Sequence, residues 1–183
     1  MQGYANAFRD EEVQAAITGG LIGTIAVSTL LWADASVPTQ PGQWFEISNA
    51  DDAEVFAQSL ERTQRRVQGG TGIGAGVAEA IRMLDRNGFD GLRQIVDVSG
   101  DGVETPPRQT VIEMPQARAM AEARGVTVNG LAILNEMPYL DRWYRTHVIT
   151  GPSAFVMMAA NFRDFQRAIK RKLLKEIRGL PDV

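Results

Sequence analysis

The chain has 183 residues, 44% of them hydrophobic and 22% charged, which suits one globular domain with one sizeable core. A formal net charge of -3 argues against a nucleic-acid partner held by a basic surface, and the absence of cysteine excludes disulfides, thiolate zinc sites and cysteine nucleophiles. No apolar run is long enough to span a membrane, and Met1-Gln2-Gly3-Tyr4 has neither the basic nor the apolar region of a signal peptide.

Tyr4 and Phe8 stand at helical spacing. Asp10 caps a second short helix with Val13, Ala16 and Ile17 on its apolar face, and Gly19-Gly20 stops it. Ile22 to Trp32 is rich in β-branched and large apolar residues and reads as a buried strand; Trp44 to Ile47 reads as a shorter one. A helix starts near Ala50, with Ala53, Phe56, Ala57 and Leu60 on one face. The loop Gly69-Gly70-Thr71-Gly72 opens a helix whose inner face is Ile73, Val77, Ala80, Ile81 and Leu84. Leu92 to Ser99 is a strand ending in Gly100-Asp101-Gly102, and Pro106-Pro107 marks a loop. The next helix turns Ala117, Met120 and Ala121 inward and ends at Gly125. Then come a strand, Val126 to Leu134, a short amphipathic helix, Leu140 to Val148, and a brief strand, Phe155 to Met158. The final helix carries Phe162, Phe165, Ile169, Leu173 and Ile177 in one stripe. Its basic run Lys170-Arg171-Lys172, with Lys175 and Arg178, reads as a solvated face that complements the helix dipole. Strands alternating with helices predict an α/β fold, a mostly parallel sheet covered by helices on both faces.

In such sheets, function collects in the loops at the carboxyl ends of the strands. Thr71 offers a hydroxyl there and Asp101 a carboxylate. Both are hard oxygen ligands that suit Mg²⁺ or Mn²⁺ rather than zinc, and the glycines around them allow close backbone approach. Taken singly, Thr71 reads as a helix cap and Asp101-Gly102 as a turn; the pair, in this order on these elements, is more specific than either.

Several segments carry a resemblance over essentially the whole chain. They are Gly3-Tyr4-Ala5, Phe8-Arg9-Asp10, Gly69-Gly70-Thr71, Val96-Asp97-Val98-Ser99-Gly100-Asp101-Gly102, Val128-Asn129-Gly130-Leu131 and Gly151-Pro152-Ser153-Ala154-Phe155. In these the chain resembles a bacterial family of VWA-type (von Willebrand factor A-like) proteins whose function is unassigned. The resemblance implies a three-layer VWA/Rossmann-like fold with a metal-ion-dependent adhesion site built from three loops. It carries the second-loop threonine onto Thr71 and the third-loop aspartate onto Asp101. It further implies Mg²⁺ or Mn²⁺ as the ion, an acidic side chain of a partner protein as the ligand, and a periplasmic or secreted home.

The first loop of such a site is Asp-x-Ser-x-Ser at the end of the first, central strand, and no such motif occurs here. We therefore read residues 1–183 as one VWA-like domain incomplete at its N-terminus, its sheet lacking the central strand and its metal binding weak or absent. The nearest imitation, Asp97-Val98-Ser99, follows the threonine loop and lies on the wrong strand. Strand alternation places Asp97 on one face with Ile95 and Ser99, as a buried carboxylate held by a donor.

Enzyme readings are weaker. The loop Gly69 to Gly76 invites a phosphate- or nucleotide-binding enzyme as the alternative, but it fits no Gly-x-Gly-x-x-Gly register and no Gly-Lys-Ser/Thr follows. Ser99 lacks a nucleophile-elbow frame, and His147, the one histidine, reads as structural. The expectation is a non-enzymatic protein-binding module.

Overall fold

The computed structural model describes residues 1–106 and 111–179; Pro107, half of the expected loop, lies outside them. Along the chain come α1 (Gln2–Arg9), α2 (Glu11–Thr18), β1 (Ile25–Val27), β2 (Leu30–Leu31), β3 (Gln40–Pro41), β4 (Phe45–Ile47), α3 (Ala50–Arg62), α4 (Ile73–Leu84), β5 (Ile95–Gly100), α5 (Met114–Arg124), β6 (Thr127–Ile133), α6 (Leu140–His147), β7 (Val156–Ala159) and α7 (Phe162–Arg178). Strands β5, β6 and β7 form a parallel sheet in that order, with Val98 opposite Gly130 and Leu131 opposite Met157. Two antiparallel ladders, β1 with β4 and β2 with β3, stand apart from it.

The single strand expected over Ile22 to Trp32 is two short strands whose residues are only half-buried. The ladder breaks at Ser28-Thr29, where bonding passes to Gly42: Ser28 Oγ donates to its carbonyl at 3.1 Å, and the Gly42 N–H donates to the Thr29 carbonyl at 2.7 Å. Strand β3, absent from the expected elements, holds Pro41 opposite Leu30. A proline lacks the N–H of a ladder and is tolerated only at such an edge.

Side-chain alternation along β6 distributes the core. Val128 and Ala132 face one way, into an apolar cluster with Val77 and Ile81 of α4, Ala117 and Ala121 of α5, and Leu140 and Tyr144 of α6. Leu131 and Ile133 face the other way, against Ala7 of α1 and Ala168 and Ile169 of α7. A third cluster joins α1, α3 and β4, with the Phe56 ring 4.8 Å from Phe8 and 5.2 Å from Phe45. The sheet thus has helices on both faces, as the alternation of elements predicts. Among the described residues no strand pairs with the outer side of β5. Helix α4 nevertheless packs on both β5 and β2, and the Trp32 ring reaches within 3.6 Å of where a side chain on Gly100 would begin. Among the described strands the middle layer is therefore discontinuous under continuous helical cover.

The basic run of α7 departs from expectation. Lys172 is not solvated; its side chain is 0% exposed. Phe162, expected on the apolar stripe, is exposed, and the buried face of α7 includes Lys172 and Glu176 instead. Lys172 Nζ lies 2.7 Å from Asp97 Oδ1 and also bonds Glu176. Asn129 Nδ2 donates to Glu176 Oε1 at 2.8 Å, while Asn129 Oδ1 accepts the Phe155 N–H at 3.0 Å. Tyr4 of α1 completes the set: its hydroxyl shares a 2.8 Å hydrogen bond with Ser99 and donates to Asp97 Oδ2 at 3.3 Å. Asp97 is thus a carboxylate held by donors on the face it shares with Ser99, as strand alternation places it. Burial pushes Glu176 up; in Lys172, the two carboxylates outweigh burial and hold the ammonium above its ordinary value. Removing the cation would leave two carboxylates without a counter-charge, so Lys172→Ala should lower unfolding stability by about 3–5 kcal/mol at neutral pH. Urea denaturation should show that deficit shrinking as pH falls and Glu176, whose carboxyl is already held above its ordinary value by burial, takes up a proton.

A more exposed clamp joins α1 to α3. Arg9 grips Glu54 through Nε at 2.6 Å and Glu61 through Nη1 at 2.6 Å. Its hydrogen bonds hold both carboxyls down from 4.5 to about 2. A folded-state value below the unfolded one means stabilisation that is present above pH 4.5 and lost as pH falls towards about 2. Thermal melting of Arg9→Met across that window should show a flatter pH dependence than the parent chain.

Candidate functional site

The carboxyl end of β5 gathers four stretches of chain: residues 34–36 after β2, the 69–72 loop before α4, residues 101–105 after β5, and the start of α5. Hydrogen bonds to backbone groups hold them together. The Gly72 N–H donates to Ala33 O at 2.7 Å, and Thr105 and Thr71 bond reciprocally, Thr105 N–H to Thr71 O at 2.8 Å and Thr71 N–H to Thr105 Oγ1 at 3.0 Å. Thr71 is therefore placed by the segment that follows Asp101, although 30 residues part them in sequence. Its own hydroxyl lies 3.4 Å from the point where a side chain on Gly102 would begin. The threonine and aspartate loops singled out from sequence are brought together.

Gly74 shows how tight this junction is. A Cβ there would lie 2.2 Å from the Glu113 carbonyl carbon and 2.4 Å from the Met114 nitrogen. These are backbone atoms with no rotamer to yield, so only glycine lets α4 and the start of α5 meet. Glu104 fastens the same junction. One carboxylate oxygen accepts the Gly74 N–H at 2.6 Å and the other the Met114 N–H at 3.0 Å. The N-termini of α4 and α5 thus share one carboxylate, which matches the partial positive charge at both helix ends. Gly74→Ala should destabilise the chain by about 1–3 kcal/mol, the usual cost of overpacking. Urea unfolding measures it, and an unchanged midpoint would mean that the two helices can separate freely.

Two further groups stand at this end. Asp34 packs against the glycines of the threonine loop: a Cβ on Gly70 would stand 3.0 Å from its Oδ2. Its Oδ1 accepts from the Ser36 N–H at 2.8 Å and from Ser36 Oγ at 2.6 Å. Asp34-Ala35-Ser36 is itself an aspartate–x–serine stretch after a strand, so the signal was visible, but only the fold places it beside Gly69-Gly70. The other group is Tyr144 of α6, fully buried, whose hydroxyl has no hydrogen-bond partner among the described residues. Burial and the Asp101 charge push its phenol upward, so it stays protonated. Among the described residues, no group of three or more His, Asp or Glu side chains is placed to hold a metal ion.

Other sequence candidates have local partners. His147 is exposed, stacks on Trp143 with ring centroids 4.8 Å apart, and has Nδ1 3.0 Å from the Trp143 carbonyl oxygen. Ser99 has a tyrosine as its partner, but burial and the Asp97 charge hold the Tyr4 phenol well above its ordinary value. It therefore makes a poor base for activating a serine. The segments 128–131 and 151–155 lock β6 to the start of β7, since Gly130 N–H donates to Phe155 O at 3.0 Å beside the Asn129–Phe155 bond.

A family described as protein of unknown function (DUF1194) matches residues 1–181. The chain belongs to this family. No curated protein matches this DUF1194 chain. Among solved structures it is similar to proximal thread matrix protein 1 from the mussel byssus, with a TM-score of 0.60 at 14% identity. The likeness covers 94% of this chain and 42% of the mussel chain, so the DUF1194 chain spans under half of that protein's length. At this identity the likeness speaks for the fold alone, a mixed α/β architecture of the VWA-like kind. No described helix is long and apolar enough to cross a membrane.

Proposed function

We propose that the chain is a VWA-type, non-enzymatic protein-binding module whose ligand is taken at the carboxyl end of β5. A divalent cation, Mg²⁺ or Mn²⁺, would be held by the Thr71 hydroxyl and the Asp101 carboxylate. With so few charged donors it would keep the residual charge needed to accept an acidic side chain from a partner protein. The observation that carries this reading is the convergence of the two loops, with the Thr71 hydroxyl against the backbone at Gly102, next to Asp101. The donor chemistry supports it, because hydroxyl and carboxylate oxygens suit a hard cation. A single carboxylate in the pair implies weak binding. The partner is proposed to be met in the periplasm or outside the cell, the home that the resemblance implies.

The second reading, a phosphate- or nucleotide-binding enzyme using Gly69 to Gly76, has less support. That helix N-terminus already holds the Glu104 carboxylate on the Gly74 N–H. An incoming phosphate would meet like charge where it needs a donor.

Titrating the chain with Mn²⁺ and following the free-ion electron paramagnetic resonance signal tests the proposal. Saturable binding is expected, competed by Mg²⁺ and lowered at least tenfold in Thr71→Ala and in Asp101→Ala. Binding that both variants leave unchanged, or nucleotide binding without metal dependence at these residues, would sink it.

A further inference from the structure

The oddest group near the candidate site is the Tyr144 hydroxyl. The side chain is 0% exposed, yet its oxygen meets no donor or acceptor among the described residues. A buried polar atom left unpaired destabilises the fold, whereas a phenylalanine would fill the same space without that cost. The sheet is also shaped around this ring. A Cβ on Gly130 of β6 would come within 2.7 Å of Tyr144 Cδ1, and one on Gly100 of β5 within 2.6 Å of its hydroxyl. Two glycines on neighbouring strands therefore let the ring lie across the sheet and deliver its oxygen to the end of β5.

That delivery point adjoins Asp101. Gly100 and Gly102 flank the aspartate; the Tyr144 hydroxyl borders the first and the Thr71 hydroxyl the second. The edge of the Trp32 ring, 3.6 Å from the same point on Gly100, closes the apolar side. The two hydroxyls thus border the glycines on either side of Asp101, and that of Tyr144 has no hydrogen-bond partner among the described residues.

We propose that Tyr144 is a further binding residue of the Thr71–Asp101 site, its hydroxyl hydrogen-bonding a water molecule carried by the divalent cation. The proposal rests on the metal reading given above and adds the group that positions the ion's water shell. A neutral phenol suits this role: it can donate to or accept from a bound water without adding charge, so it steadies the hydrated ion and leaves its charge for an acidic ligand.

The test compares Tyr144→Phe with Asp101→Ala and the parent chain by Mn²⁺ titration, reading free-ion amplitude and water-proton relaxation. Tyr144→Phe should weaken Mn²⁺ binding roughly two- to tenfold, the worth of one hydrogen bond, and change the relaxation of the bound ion's water. Without metal, its melting temperature should equal or exceed that of the parent, because the variant removes only an unpaired oxygen. Mn²⁺ should then raise the melting temperature of the parent more than that of the variant. Unchanged affinity and relaxation in Tyr144→Phe, with binding abolished in Asp101→Ala, would overturn the role of Tyr144 and leave the metal site standing. Absence of saturable Mn²⁺ binding in the parent chain would overturn both.

Discussion

The buried ammonium of Lys172 is the interaction on which the arrangement depends. It reaches from α7 to Asp97 on β5 and to Glu176 on its own helix, and Glu176 passes the connection to Asn129 on β6. Tyr4 ties α1 to the same point. A charge removed from water is tolerable only if its partners are present and aligned, so this cluster demands one relative placement of four elements. Apolar packing alone is less exacting, because hydrophobic surfaces accept many registers.

The consequence for function follows along β5. Its even-numbered residues Val96 and Val98 lie in the apolar cluster under α4, α5 and α6, while Asp97 and Ser99 face the polar cluster under α1 and α7. Six residues of strand are thus gripped from above and below, although no strand pairs with their outer side among the described residues. Such double-sided anchoring offsets the lack of a ladder on that side and fixes where Asp101 leaves the strand. The reciprocal bonds between Thr71 and Thr105 then set the threonine loop against that exit.

Much of this was legible from the chain alone. Periodicity located the helices, and turn residues bounded them: Gly125 closes α5 at φ 67°, and Asp10 caps α2 by accepting the Glu12 N–H. The parts that failed share a cause. Lys172 sits in a basic run that local pattern assigns to solvent, because its partner Asp97 lies far away in sequence on β5 and only the fold brings the two together. The strand over Ile22 to Trp32 looked continuous because its interruption depends on Gly42, a contact across the ladder. Asp34 and Tyr144 matter through what they approach, Gly69-Gly70 for the one and Gly100 for the other, and only the fold decides that.

The sequence by itself determined the class of fold, the order of elements and the two loops that bear Thr71 and Asp101, because these follow from side-chain periodicity and from residues such as glycine that act on their own backbone. Only the tertiary structure decided which groups surround those loops. It set the Glu104 carboxylate on the helix end that a phosphate would need, folded Asp34 against the glycines, and laid Tyr144 across two strands to bring its hydroxyl, unpartnered among the described residues, against Gly100 next to Asp101. Each of these depends on distant segments meeting, and local sequence carries no record of such meetings.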